Sequence, residues 1–131
     1  MFKTMKVDAE MAPTGSVDSV AKFNKFVVFD IETTGLSHLK NNITEIGAVL
    51  IEDGKLIRRF NELINPEQEI SDEIIELTGI TNEMVADKPL ISEILPKFIE
   101  FAEDAVFVAH NAEFDISFIR TNCKRLNIEF N

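Results

Sequence analysis

Four consecutive apolar residues, Phe26-Val27-Val28-Phe29, run straight into the acidic triplet Asp30-Ile31-Glu32. A short unbroken run of this kind predicts a strand buried on both faces. Residues two apart in a strand face the same way, so Asp30 and Glu32 point to one side with Cα atoms ~6.5 Å apart. Carboxylates placed where a buried run ends are costly if desolvated and uncompensated. A divalent cation relieves that cost, and hard oxygen ligands suit Mg²⁺ or Mn²⁺. For these two residues alone a plainer reading stands beside it: both acids are solvated at a strand's end.

The rest of the pattern predicts an α/β domain. Gly35 permits a sharp turn, and a second apolar stretch runs from Ile43 to Ile51. Asp53-Gly54 then separates it from a third strand-like stretch, Lys55 to Ile64. Asp-Gly between two such stretches predicts a hairpin, because a type I′ turn needs positive φ at both central residues. Ser71 as N-cap and Gly79 as C-cap predict a short helix over Ser71 to Thr78. A longer helix from about Pro89 to Ala102 carries the stripe Ile91, Ile94, Leu95, Phe98 and Phe101 or Ala102. Pro96 inside it predicts a kink or a frayed first half. Ala105-Val106-Phe107-Val108 reads as another buried strand, followed by a helix from Ala112 to about Leu126 capped by Asn111. Strand, hairpin, helices, strand and helix together give a mixed sheet flanked by helices. Residues 1–24, with the breaker cluster Ala12-Pro13-Thr14-Gly15-Ser16, read as a flexible N-terminal lead to a domain over 25–131.

Charge and cysteine content narrow the setting. A net charge of −10 excludes a domain that holds nucleic acid by a broad basic surface. It leaves either another ligand, or nucleic acid held at a small, metal-charged site and delivered by a partner. The one cysteine, Cys123, forms no intramolecular disulfide, which fits a reducing compartment. There is no apolar run of membrane-spanning length and no secretory h-region, so a cytoplasmic protein without membrane attachment is expected.

A third acid changes the chemistry on offer. On a helical wheel Asp115 falls at the edge of the stripe Ile116, Ile119, Cys123 and Leu126. Its helix follows a buried strand, so its first turn lies near a strand end. If that strand runs parallel to the first, Asp115 converges with Asp30 and Glu32 at one rim of the sheet. An acid in a first helical turn also simply offsets the helix dipole. Three carboxylates could hold two cations ~3.5–4 Å apart, which bind the attacking and leaving oxygens of a phosphodiester. Such a site would draw a polyanion to an acidic protein through the metals' charge.

Phe29-Asp30-Ile31-Glu32-Thr33-Thr34-Gly35-Leu36 and His110-Asn111-Ala112-Glu113-Phe114-Asp115 resemble the first two signature motifs of the DEDD exonucleases, in their DnaQ-like branch. Thr44-Glu45-Ile46-Gly47-Ala48-Val49, Ile64-Asn65-Pro66 and Leu77-Thr78-Gly79-Ile80-Thr81 extend the resemblance over Phe26 to Leu126. The last of these is similar to the proofreading domains of bacterial replicative polymerases, the PolC type above all. The resemblance implies an RNase H-like fold and removal of 3′-terminal nucleotides with two divalent cations, Mg²⁺ or Mn²⁺. It implies Asp30 and Glu32 as metal ligands, Asp30 bridging both ions, and Asp115 as the third carboxylate, binding through water. It places Thr33 beside the terminal nucleotide, Glu73 and Thr78 near the substrate's 3′ end, and Phe114 as a wall under the terminal sugar or base. The implied partners are a single-stranded or frayed 3′ end of DNA and a DNA polymerase III catalytic subunit or domain. RNA-trimming relatives share the same chemistry.

One departure from the family pattern counts. The family has a third motif with a general-base His and a fourth Asp, whereas here only Arg120, Lys124, Arg125 and Glu129 are charged after Asp115. The other histidine, His38, lies in the turn after the first motif, and His110 reads as shaping the turn before Asn111. The expectation is a shortened chain without the fold's last strand and helix, weak or inactive alone and prone to self-association through exposed apolar surface. Two other functions fit the motifs less well. One is a non-catalytic nucleic-acid or polymerase interaction module of the same fold. The other is an aspartate-nucleophile phosphatase, which needs D-x-D rather than D-x-E and a later Lys and acid pair.

Overall fold

The structure, a computed structural model, describes residues 24–130; of the predicted N-terminal lead, all but Asn24 lies outside the described residues. Strand β1 (Lys25–Thr33) is followed by β2 (Ile43–Glu52) and β3 (Lys55–Leu63). Helices α1 (Asp72–Thr78), α2 (Asn82–Val85) and α3 (Ile91–Ala102) come next, then β4 (Val106–Val108) and α4 (Ala112–Arg125). The sheet order is β3-β2-β1-β4. β1 pairs antiparallel with β2 and parallel with β4, so the sheet is mixed.

Local chemistry explains most element ends. Asp53 and Gly54 both take positive φ, 52° and 77°, as the predicted β2–β3 hairpin requires. Ser71 accepts from the Ile74 N–H, and left-handed Gly79 closes α1 by donating to the Ile75 carbonyl. Helix α2, absent from the sequence expectations, starts at Thr81, whose hydroxyl accepts from the Met84 N–H at 3.2 Å. Pro96 lies inside α3 without fraying its first half. The opening turn closes normally, with the Ile94 N–H donating to the Leu90 carbonyl at 3.2 Å.

Asp30 and Glu32 lie at the end of β1 as expected, opposite Gly47 and Glu45 of β2, with Thr33 the last residue of the strand. The expectation of burial on both faces needs correction. Val27, Phe29, Ile31 and Thr33 are buried, while Phe26, Val28, Asp30 and Glu32 on the other face are half-buried. The reason is where the helices pack. Phe98 of α3 meets the rings of Phe29, Phe60 and Phe107 on the buried face, and Phe118 and Ile119 of α4 join the same core. The carboxylates therefore share a strand with the core but point away from it.

Candidate active site

The parallel register of β1 and β4, Phe26 with Val106 through Val28 with Val108, sends both chains out at one rim. At that rim lies a cavity of about 300 Å³. Asp30, Glu32 and Thr33 reach it from β1, and Gly35 and Leu36 from the loop that follows. Ile74, Leu77 and Thr78 of α1 line it from another side. His110, Asn111, Phe114 and Asp115 complete it from the start of α4. The three acids predicted from separate motifs thus share one cavity, where strand carboxyl ends in α/β folds commonly form sites.

Asp115 is more deeply set than the helical wheel indicated. It is 3% exposed, and the buried positions of α4 are Asp115, Phe118, Ile119, Asn122 and Cys123. This is a true i, i+3, i+4, i+7, i+8 face. The predicted stripe was displaced because it assigned Ile116 and Leu126, both only half-buried, to the core. Asp115 therefore sits on the packed face, at the one place where that face opens onto the cavity. Burial also raises the Cys123 thiol pKa, two turns further along. Asn111 precedes α4 but makes no side-chain capping bond; it lines the cavity instead.

The remaining predicted residues divide. The Thr33 hydroxyl donates to the Gly35 carbonyl at 2.5 Å, tying the strand end to the loop at the cavity mouth. The Thr78 hydroxyl donates to the Ile74 carbonyl at 2.9 Å and accepts from the Ile80 N–H at 3.1 Å, so its polar capacity is committed locally. Phe114 lines the cavity and also packs on Phe118, with centroids 4.9 Å apart, acting as wall and core together. Glu73, exposed in the first turn of α1, is not part of the lining. Leu36 and Leu77, 85% and 75% exposed, form an apolar rim that the motif reading passed over, as did Ile74. His110, read there as a turn residue, lines the cavity.

The loop between β1 and β2 is closely braced. Asn41 Oδ1 accepts from the Ser37 N–H at 3.0 Å, and a Cβ on Gly35 would lie 2.5 Å from that oxygen. Glycine is favoured there by space, not by φ, since a Cβ would have to displace the Asn41 side chain. Gln68 donates to the Lys40 carbonyl at 2.9 Å and accepts from Thr34, and Arg125 donates to the Leu39 carbonyl at 2.9 Å.

The sequence profile of the Exonuclease family matches residues 27–131. The chain belongs to this family. It is 56% identical over 104 residues to a DNA polymerase III PolC-type from Caldanaerobacter subterraneus subsp. tengcongensis, and 49% identical over 109 residues to one from Staphylococcus aureus. These alignments take in 79% and 83% of this chain but only 7% and 8% of those proteins. Among solved structures, Exonuclease X in complex with 5′ overhanging duplex DNA is 35% identical, with a TM-score of 0.61 over 71% of this chain and 52% of that one. A product-bound exonuclease I, 16% identical, superposes with a TM-score of 0.73 over 82% of this chain and 27% of that one, a likeness of fold alone. The mixed sheet flanked by helices is thus an RNase H-like fold of the DnaQ-like exonucleases.

Proposed function

We propose that this domain is a 3′–5′ exonuclease that removes nucleotides from DNA ends as the proofreading partner of a replicative polymerase. The observation that carries the reading is the meeting of Asp30, Glu32 and Asp115 at one cavity in an Exonuclease-family fold. Among the described residues no three His, Cys, Asp or Glu side chains are grouped so as to hold an ion by themselves. The fit to Mg²⁺ or Mn²⁺ rests on donor chemistry: carboxylate oxygens are the ligands these ions take, with water and substrate oxygens filling the remaining positions. Asp30 and Glu32, from adjacent positions on one strand face, would hold two such ions, with Asp115 contributing through water. When bound, the pair supplies charge for the attacking water and the leaving oxygen of an in-line displacement.

The other residues orient and enclose. Phe114 offers a flat apolar wall to the terminal sugar or base, and Leu36 and Leu77 close the cavity mouth with apolar surface. Thr33 fixes the loop beside the terminal nucleotide through its bond to Gly35. Thr78 presents packing surface, since its hydroxyl is engaged within α1. Glu73, outside the lining, would meet only substrate that extends past α1. The PolC-type relatives support a DNA polymerase III catalytic subunit or domain as partner, and a cytoplasmic setting. Among the described residues no helix is long and apolar enough to cross a membrane.

The test is Mn²⁺ titration together with turnover of a 3′-labelled single strand, for the parent chain and for Asp30→Ala and Asp115→Ala. Both variants should lose metal affinity and any hydrolysis. Metal binding unchanged in both would remove the basis of the proposal. Metal-dependent DNA binding without hydrolysis would favour an interaction module instead.

A further inference from the structure

The second half of α4 carries Arg120, Lys124 and Arg125, with no acid between Asp115 and Glu129. This is a local reversal in a chain with 23 Asp and Glu against 13 Lys and Arg. Steps of three and four residues place Glu113, Ser117, Arg120 and Lys124 along one stripe, ~16 Å from end to end. Arg120 and Lys124 are exposed. Arg125 turns aside to the Leu39 carbonyl and so brings the loop bearing exposed Lys40 against the helix.

The stripe connects to the cavity. An open recess of about 350 Å³ is lined by His38, Asn111, Glu113, Phe114 and Ser117. It shares Asn111 and Phe114 with the carboxylate cavity. His38 holds the outer wall: its Nδ1 meets Thr121 Oγ1 at 2.6 Å, and its ring stands edge-on to Phe118. Cavity, recess and basic stripe therefore follow one another along α4.

We propose that this stripe is a track for the sugar–phosphate backbone of the substrate strand, a proposal that rests on reading the cavity as a nuclease site. The recess takes the backbone next to the terminal nucleotide, and Arg120 and Lys124, with Lys40 beside them, neutralise phosphates further from the end. An acidic domain repels a polyanion at long range, so a short positive strip both restores attraction and sets the direction of approach. Glu113 opposes this at the cavity end of the stripe, next to the region where cations are proposed.

The experiment compares binding of dTMP and of a phosphorothioate-linked deoxythymidylate eight-mer to the 131-residue chain, in Mn²⁺, across a salt series. Arg120→Ala/Lys124→Ala should weaken the eight-mer by about tenfold and flatten its salt slope by ~1.4, the value for two lost phosphate contacts on a single strand. It should leave dTMP unchanged. Lys88→Ala/Lys97→Ala removes the same charge elsewhere and should change neither. Equal behaviour of the two double variants overturns the track, because net charge then explains the effect. So does an unchanged eight-mer affinity in Arg120→Ala/Lys124→Ala while Asp30→Ala abolishes Mn²⁺-dependent dTMP binding, a result that leaves the nuclease reading standing. If Asp30→Ala binds dTMP as the parent does, the nuclease reading fails and the track fails with it.

Discussion

Strand β1 has charged side chains clustered at each end, and the two clusters differ in setting. At its start Lys25 Nζ lies 2.5 Å from Glu103 Oε1 and 3.2 Å from Asp104 Oδ1, while Arg58 pairs with the second oxygen of Glu103. At its end Asp30 and Glu32 join Asp115 around a cavity whose described lining includes no Lys or Arg. The first cluster matches acids with the chain's own cations at the surface, where such pairs stabilise little. The second gathers carboxylates around a concave space and buries one of them. The difference is one of setting. Charges paired at the surface fasten elements together, whereas carboxylates around a concave space are where the proposed cations would sit.

The sharpest way to break this comparison is at the cavity. Asp30→Ala should lower metal-dependent hydrolysis by ~10³-fold or more, about 4 kcal/mol of transition-state stabilisation, measured as single-turnover rates in a polypeptide that carries this domain. Its thermal unfolding should change little. An Asp30→Ala protein that unfolds early would mean that this cluster is a fastener too.

The core between the two ends comes next. Phe98 is fully buried against Phe29, Phe60 and Phe107, so Phe98→Ala should cost about 3–5 kcal/mol in chemical denaturation. Gly35→Ala should act more weakly and nearer the site. The new Cβ displaces Asn41 from its bond to the Ser37 N–H, a loss of about 1 kcal/mol, and shifts the loop that carries Leu36. Hydrolysis should fall by up to ~10-fold through misplacement of that rim. An unaltered rate would show that the loop does not position substrate.

The smallest effect belongs to the other end. The Lys25 ammonium holds the Glu103 and Asp104 carboxyls below their ordinary pKa. A carboxyl depressed on folding contributes stability that is present above its unfolded pKa and lost as pH falls through the lower, folded value. Glu103→Gln should therefore lower the midpoint of thermal unfolding slightly near neutral pH, and the difference should fade in acid. Hydrolysis should be untouched. A large fall in hydrolysis at neutral pH would contradict the division of roles.

Much of the fold was legible along the chain because its signals are local. Asp53-Gly54 needs only its own φ angles, and Ser71 and Gly79 need only one helical turn. The stripe of α3 came through apart from Ile91, which is half-buried, since Ile94, Leu95, Phe98, Phe101 and Ala102 are all buried. In α4 the pattern found Ile119 and Cys123 but not the whole buried face. Its inward positions also include Asp115, read only at the edge of the stripe, and Asn122, a polar residue that a hydrophobicity pattern assigns to solvent. Asn122 is tolerated there because its Nδ2 donates to the Phe118 carbonyl at 2.8 Å. Glu73 and Thr78 were proposed together from motif position, yet only Thr78 lines the cavity, because side chains five apart leave a helix in different directions.

The sequence by itself determined most of the element order, the hairpin and the caps of α1, since turn and cap chemistry acts within a few residues, and the motif resemblance brought the three acids together. Only the tertiary structure decided that β1 is buried on one face alone, that Asp115 lies on the packed side of its helix, and that the cavity runs into a recess leading to Arg120 and Lys124. Those facts depend on which helices cover which face of the sheet and on a parallel pairing of β1 with β4. Contacts between residues roughly eighty positions apart leave no mark in either stretch of sequence read alone.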